Sequence, residues 1–328
     1  MVTLCGLLGM KKQAYYKHKD TLQKKLTQEE FVYKFILEIR RIAPGIGGPK
    51  LYEIYKRRFG NNPELTVGRD KIERIVRERG LIVRKSRKKP RTTDSRHGFP
   101  LYPDLRKDLL PIRPLQLWVA DITYIPVWRD IKAGDYYFCF LSIITDDYSK
   151  EIVGWSVGES LETIYCIEAL TMAMERLIGV ENIDLIHHTD RGIQYASTAY
   201  VDLLREANIK ISMTESGDPK DNPVAERQNE TIKYEFMKDL VFRSVAQVRS
   251  SMPKIVKFYN NERPHMSLNN MTPAEASKCT GRIHKRWNSY REKYLQNLDV
   301  MEGATSLEPQ TLKLVDQLSE EEVNQNQG

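Results

Sequence analysis

The sequence predicts an α/β protein, a mixed β-sheet core flanked by helices and preceded by a small all-α unit. Three observations predict it. Between residues 115 and 158 three β-rich runs, LQLWVADITYIPV, DYYFCFLSIITDD and EIVGWSVG, follow one another across short polar connections, as in an antiparallel meander. From there to about residue 231 the apolar pattern alternates between helical and strand periods. Ahead of residue 84 it is helical only.

Taken in order, LCGLLGMKKQAYYKH reads as a short helix, a turn at Gly9, and a second helix opening at Lys11, Lys12 and Gln13. That is the shape of the last two helices of a helix-turn-helix unit, and a simple amphipathic helix fits the segment equally well. Phe31, Phe35, Ile36, Ile39 and Ile42 recur at helical spacing, APGIGGP breaks the pattern, and LYEIYKRRFG resumes it. After NNPEL a third helix is expected over residues 66–79, capped by Thr66 or Gly68, with Ile72, Ile75 and Val76 inward. Arg69, Lys71, Arg74, Arg77 and Arg79 decorate its outside, and a helical unit ending in a basic helix is a common DNA-reading design; Arg69 and Arg74 are the candidate contacts. RKSRKKPR, residues 84–91, has six basic residues in eight. Residues 84–113 read as a basic linker able to track a phosphate backbone through Lys85, Arg87, Lys88 and Lys89, or as a spacer without a ligand.

Beyond the meander, a helix is expected over residues 162–178, with Ile164, Ile167, Ala169, Leu170, Ala173, Met174 and Leu177 on or near one face. A strand at 184–188, a helix at 197–207 and a strand at 210–213 follow, and the loop TESGDPKDN leads into a long helix from Pro223. Three strands, helix, strand, helix, strand, helix is the order of a ribonuclease-H-like domain. A helix over 245–261, a polar helix over 283–298 and an acidic tail from Met301, expected to be disordered, complete the chain. The expected division is a helical DNA-binding region, 1–83, the linker, 84–113, the catalytic core, 114–280, and a C-terminal helix with tail, 281–328.

Charge narrows the partner. The net charge is +7, but residues 1–100 hold 25 Lys and Arg against 10 Asp and Glu, whereas the rest hold 26 against 34. A basic front end points to a polyanion, most simply nucleic acid, with salt-sensitive phosphate contacts. The cysteines, Cys5, Cys139, Cys166 and Cys279, form no CxxC pair, which argues against a zinc site or disulfide framework and fits a reducing cytoplasm. No apolar stretch approaches the roughly 18 residues that span a membrane.

Three acids stand where carboxylates are hard to excuse: Asp121 in a β-prone apolar run, Asp190 after an apolar segment and two histidines, and Glu226 one turn into a helix. The predicted topology puts Asp121 on the central first strand, Asp190 past the end of the fourth and Glu226 on the helix after the fifth, all within reach of one point. Converging carboxylates repel, and a pair of divalent cations would remove the conflict and make a phosphoryl-transfer site.

Read together, LWVADITYIPV, ITDDYSKEIVGWSV, HHTDRGIQYASTAYVDLLREANIKISMTESGDPKDNPVAERQNETIKYE and FYNNERPHMSLNNMTPAEA resemble the catalytic proteins of bacterial insertion sequences of the IS-three family, and more distantly retroviral integrases. The resemblance runs from Met1 to about Ala276, and the 35 residues between Asp190 and Glu226 are part of it. It implies a DDE transposase with a ribonuclease-H-like core and two Mg²⁺ ions, Mn²⁺ being an acceptable substitute. Asp121, Asp190 and Glu226 match the family's acids and would be both catalytic residues and metal ligands. It further implies double-stranded DNA as partner, both terminal inverted repeats and target, a homo-oligomer on that DNA, and a nucleoid-associated cytoplasmic location. An upstream reading frame fused by frameshifting would supply the missing first part of the helix-turn-helix. The chain departs from the pattern at Asn222-Pro223 and Glu226-Arg227, where relatives often carry Asn-Ala and Glu-Ser; a proline at a helix start is favourable.

Around the acids, Lys233 lies seven residues after Glu226 on the same helix face, where it could hold a phosphate, and the resemblance supports it. Asp146 and Asp147 read as turn and cap residues. His187 and His188 sit close to Asp190, but magnesium prefers oxygen, so His188 is expected either to support the metal ligands or to serve the fold. Asn222 and Asp221 would shape the loop into the glutamate helix. Arg263 and His265 would either contact DNA or lock the final helix to the core, and Tyr259 and Pro264 read as packing. The rival readings are a nuclease of the same fold that cuts without joining and a non-catalytic DNA-binding regulator.

Overall fold

The computed structural model describes residues 11–83, 99–107, 109–215 and 222–284. The basic cluster with Lys85, Arg87, Lys88 and Lys89, Asp221, most of the expected C-terminal helix and the acidic tail lie outside them.

The short first helix and the turn at Gly9 lie outside the described residues; the helix expected to open at Lys11, Lys12 and Gln13 is α1 (Lys12–Arg40), which runs on through the Phe31–Ile42 pattern. Nothing between residues 13 and 31 breaks a helix, so the exposed, lysine-rich first half runs into the apolar second half. There Val32, Phe35, Ile36 and Ile39, at helical spacing, are buried against α2 (Gly48–Phe59) and α3 (Arg69–Glu78). Gly68 rather than Thr66 caps α3, and Ile72, Ile75 and Val76 face inward as the pattern requires.

The meander forms β1 (Leu117–Asp130), β2 (Asp135–Asp146) and β3 (Ile152–Gly158), paired antiparallel. Helix α4 (Thr163–Met174) crosses back, β4 (Ile186–Thr189) pairs parallel to β1, and a short turn of helix α5 (Ile193–Ala196) precedes α6 (Thr198–Glu206). Strand β5 (Lys210–Met213) adds parallel to β4, giving the order β3-β2-β1-β4-β5 with β1 in the centre. This mixed five-stranded sheet with crossover helices is the ribonuclease-H-like topology expected. Helix α7 (Pro223–Thr231) runs into a π-helical turn, Ile232–Phe236, and α8 (Val245–Asn261) and α9 (Pro273–Ala276) follow.

Alternation along β1 assigns the two faces. Trp118 and Ala120 point to one side, where Cys166, Ala169, Leu170 and Ala173 of α4 and Tyr200 and Leu204 of α6 cover them. Gly154 is what lets α4 lie so close: a Cβ there would sit 2.0 Å from the Ala169 carbonyl oxygen. Ile164, expected on the inner face of this helix, is 49% exposed, because α4 buries the narrower stripe of Cys166, Ala169, Leu170 and Ala173.

Ile125 and Val127 point to the other side, into a cluster that also holds Val248, Met252 and Ile255 of α8, Ile232 and Phe236 of the π turn, and the buried residues of α1, α2 and α3. The helical unit and the sheet thus share one continuous apolar core. Polar contacts reinforce the junction: Arg57 pairs with Glu275 at 2.9 Å and Arg58 with Glu262.

Candidate active site

Parallel register brings the first two acids together. Val119 pairs with His188, so carrying the register two residues further sets Asp121 beside Asp190, side chains to the same face. Asp190 ends its strand as a turn residue: its Oδ1 accepts the Gly192 N–H at 2.9 Å. A Cβ at Gly192 would lie 2.9 Å from that oxygen, so a bare backbone suits the approach. Asp121, Asp190, Gly192, Gln194 and Tyr195 line one small cleft.

Helix α7 carries Glu226 beside β1 and is pinned to it at two points. Asn222 Nδ2 donates to the Ala120 carbonyl at 3.1 Å, and Asn229 Nδ2 donates to Asp121 Oδ2 at 2.7 Å. Asn222, Glu226, Asn229 and Lys233 recur at intervals of four, three and four, a polar stripe down one side of the helix. That stripe was the signal for Asn229, which sequence reasoning missed. Lys233 itself falls within the π turn, where the stripe is rotated from a regular α-helical course.

Electrostatics make the pocket hungry for a cation. Burial raises the Asp121 pKa from 3.8 to about 7; Asp190 adds to the rise, the hydrogen bonds from Ile122 and Asn229 oppose it, and Glu226 adds a smaller push. The buried Oδ1 atoms of Asn222 and Asn229 have no partner among the described residues. Carboxylate and amide oxygens form a donor set suited to a hard divalent ion. Among the described residues no three His, Cys, Asp or Glu side chains are closed up as a ready-made metal cage. Asp190 and Glu226 both act electrostatically on Asp121, Asp190 the more strongly.

The neighbouring candidates sort by their contacts. Asp146 caps a turn, its Oδ1 accepting from Ser149 N and Oγ and its Oδ2 from Leu115 N, all at 2.8 Å. His188, fully buried, meets Ser212 Oγ at 2.9 Å and lies 3.7 Å from Asp104, while His187 meets the Tyr200 hydroxyl at 2.8 Å. Successive strand residues face opposite ways, so His187 lies with Trp118 and Tyr200 on the far face, whereas His188, beside Val119, shares the face of the acids and is held there by Ser212. Burial lowers the His187 pKa to about 3, so it is neutral.

Arg263 is corrected in one respect: it is 5% exposed and its Nε and Nη2 donate to Glu235 at 2.8 and 3.0 Å, which removes it from a DNA-facing surface. Its Nη1 meets His265 Nε2 at 2.6 Å, and burial followed by Arg263 holds the His265 pKa well below its ordinary value. Of the two roles expected for this pair, locking the end of α8 to the core is the one these contacts serve. Tyr259 and Pro264 pack as expected, and the Tyr259 hydroxyl also donates to Gln228 Oε1 at 2.6 Å. Arg69 pairs with Glu73 at 2.6 Å and Arg74 with Glu29 at 2.5 Å, both within the helical unit.

A sheet that aligns two acids and a helix that presents a third beside them define a class of phosphoryl-transfer core. The comparisons agree: integrase core domain families match residues 111–219 and 207–273. The chain is a DDE polynucleotidyl transferase, and it belongs to the insertion-sequence transposases. It is 31% identical over 285 residues to the transposase for insertion sequence element IS629 of Shigella sonnei, spanning 84% of this chain and 90% of that protein. It is 29% identical over 202 residues to transposase InsF for insertion sequence IS3A of Escherichia coli K12, spanning 61% of this chain and 67% of that one. Among solved structures, the HTLV-2 integrase catalytic core domain in complex with magnesium (trimeric form) aligns over 51% of this chain and 99% of that chain, with 18% identity and a TM-score of 0.39. Among the described residues no helix is long and apolar enough to cross a membrane.

Proposed function

We propose that this transposase cuts at the ends of its own element and joins the freed 3′-hydroxyl to target DNA, with Asp121, Asp190 and Glu226 as its catalytic acids. The observation that carries the reading is Asp121, a carboxylate whose pKa is raised to about 7 beside a second acid on the neighbouring strand. The three acids would hold two Mg²⁺ ions, which when bound activate the attacking oxygen and steady the leaving one. The chain's own groups prepare that site. Asn229 donates to Asp121 Oδ2 and the Ile122 N–H donates to Oδ1 at 2.8 Å, so the carboxylate is fixed through both oxygens. Asn222 ties the start of the glutamate helix to the same strand. Lys233 would hold a phosphate near the acids, and its charge suits a DNA backbone.

The division of labour follows the charge: residues 1–83 capture the element end, with Arg69 and Arg74 as contacts, and the cluster of Lys85, Arg87, Lys88 and Lys89 tracks the backbone between end and core. The assembly on DNA is a homo-oligomer in the bacterial nucleoid, working with a small upstream helix-turn-helix protein. Strand-transfer assays with Mg²⁺ on oligonucleotides bearing the terminal repeats test the reading. Joining is expected from the wild type; changing Asp121, Asp190 or Glu226 singly to Ala is expected to remove cleavage and joining, by at least about a thousandfold, while end binding persists. Cutting without joining would make the protein a nuclease, and binding alone a regulator. Full joining by any of the three variants would overturn the residue assignment.

A further inference from the structure

The catalytic glutamate's helix is held at its far end by a network outside the acids. Helix α7 ends in the π turn, closed by the Met237 N–H bonding back to the Ile232 carbonyl at 3.0 Å. Such turns insert an extra residue, cost hydrogen-bond geometry, and persist where surrounding contacts fix them. Here the fixing residue is Glu235. Its carbonyl accepts the Gly45 N–H at 2.9 Å, and its carboxylate is shared by Arg263 and Lys50. Burial raises the Glu235 pKa, but Arg263 and Lys50 outweigh it and hold the group below its ordinary value, so it is an anion in this grip.

The approach is specific to glycine: a Cβ on Gly45 would stand 1.8 Å from the Tyr234 carbonyl oxygen, a backbone atom that cannot swing aside. Gly45 and Lys50 belong to the turn and first residues between α1 and α2, in the helical unit, while Arg263 belongs to the end of α8. Glu235 is therefore the point where three separate parts of the chain meet, nine residues from Glu226 and two from Lys233.

We propose that Glu235 is a positioning residue for the transposition chemistry, and that the helical unit, gripping it through Gly45 and Lys50, sets where Glu226 and Lys233 stand relative to Asp121. The inference rests on Glu226 being the third acid. The lever is long: nine helical residues span roughly 13 Å, so a swing of about 10° about Glu235 moves Glu226 by roughly 2 Å. A displacement of about 1 Å can already cost a hundredfold in rate. The helical unit would then hold DNA and complete the active site with one body, which makes the site responsive to whatever the helical unit binds.

Hydrogen exchange followed by mass spectrometry on the full chain, without DNA or metal, tests this separately from activity. Lys50→Met and Gly45→Ala are expected to speed exchange in peptides covering residues 223–236 by about tenfold while β1 and β2 keep their protection, and Lys50→Arg is expected to restore it. In the joining assay the same Lys50→Met variant is expected to need several-fold more Mg²⁺ for half-maximal rate, with end-binding affinity unchanged. Exchange that stays at the wild-type level, or that rises evenly over the whole chain, overturns the proposal. Wild-type chain that fails to join DNA would sink the proposed function instead, and the exchange result would still judge the grip.

Discussion

Two of the three acids and the third are placed by different physics. Asp121 and Asp190 stand together because β1 and β4 pair in parallel register, a backbone property reinforced by every rung of the ladder. Glu226 stands near them because side chains hold its helix: Asn222 at the start, Gln228 against Tyr259 and Asn229 against Asp121 further along, Glu235 at the far end. Losing a rung of the sheet would disturb the whole core, whereas losing a pin at either end of the helix is expected to leave the fold standing and shift the helix. The pair depends on backbone pairing and the third acid on side-chain contacts.

The largest expected effect separates the two kinds of placement by titration. The Asp121 pKa of about 7 exceeds its unfolded value of 3.8, so the folded chain holds that proton more tightly. Its contribution to stability is present below about pH 4 and is lost as pH rises to 7, a difference of about 4 kcal/mol at most. His187, lowered to about 3, slopes the opposite way between about pH 3 and 6.5, so the comparison with variants is what isolates Asp121. In metal-free protein, Asp121→Asn is expected to flatten the fall between pH 4 and 7, seen by denaturant titration. Asp190→Asn should lower the Asp121 pKa, and Glu226→Gln should lower it less, because Asp190 is the stronger of the two repulsive neighbours. Equal shifts from both would mean that all three acids are equally preassembled, and the contrast would be gone.

Most of this was legible in the sequence, for identifiable reasons. Strands β1, β2 and β3 and helices α3 and α8 follow from alternation and helical spacing of residues that pack on themselves, and the acids declare themselves by interrupting such runs. The fate of Arg263 was left open by the sequence between DNA and the core. A basic residue in a polar segment looks solvent-facing until Glu235, 28 residues earlier, is seen beneath it, and no local pattern encodes that encounter. The π turn was hidden for a related reason: Gly45, in the helical unit, donates to the Glu235 carbonyl, and only the folded chain brings them together. Continuity of α1 from Lys12 to Arg40 follows from the absence of any helix-stopping residue between them.

A smaller effect bears on the pin that touches an acid directly. Asn229→Ala removes the donor to Asp121 Oδ2, a bond to a charged group worth roughly 1.5–3 kcal/mol. If that bond aims the carboxylate, joining is expected to fall by about 10- to 100-fold with end-binding affinity unchanged, and the Asp121 pKa is expected to rise further. A fall in binding with unchanged turnover would assign Asn229 to DNA instead.

The smallest effect concerns the middle pin, where the two regions meet away from the chemistry. Tyr259 is 1% exposed, and its hydroxyl donates to Gln228 on the side of α7 that faces α8. Tyr259→Phe deletes that bond, keeps the ring against Phe236, and leaves the Gln228 oxygen unpaired, at a cost of about 1 kcal/mol. With Asn222, Asn229 and Glu235 still holding the helix, Glu226 should not move, so the midpoint of denaturation is expected to drop while the Mg²⁺ requirement for joining stays at the wild-type value. A shift in that requirement would show that α8 also steers the glutamate, and that the third acid is set from three directions rather than from the two ends of its helix.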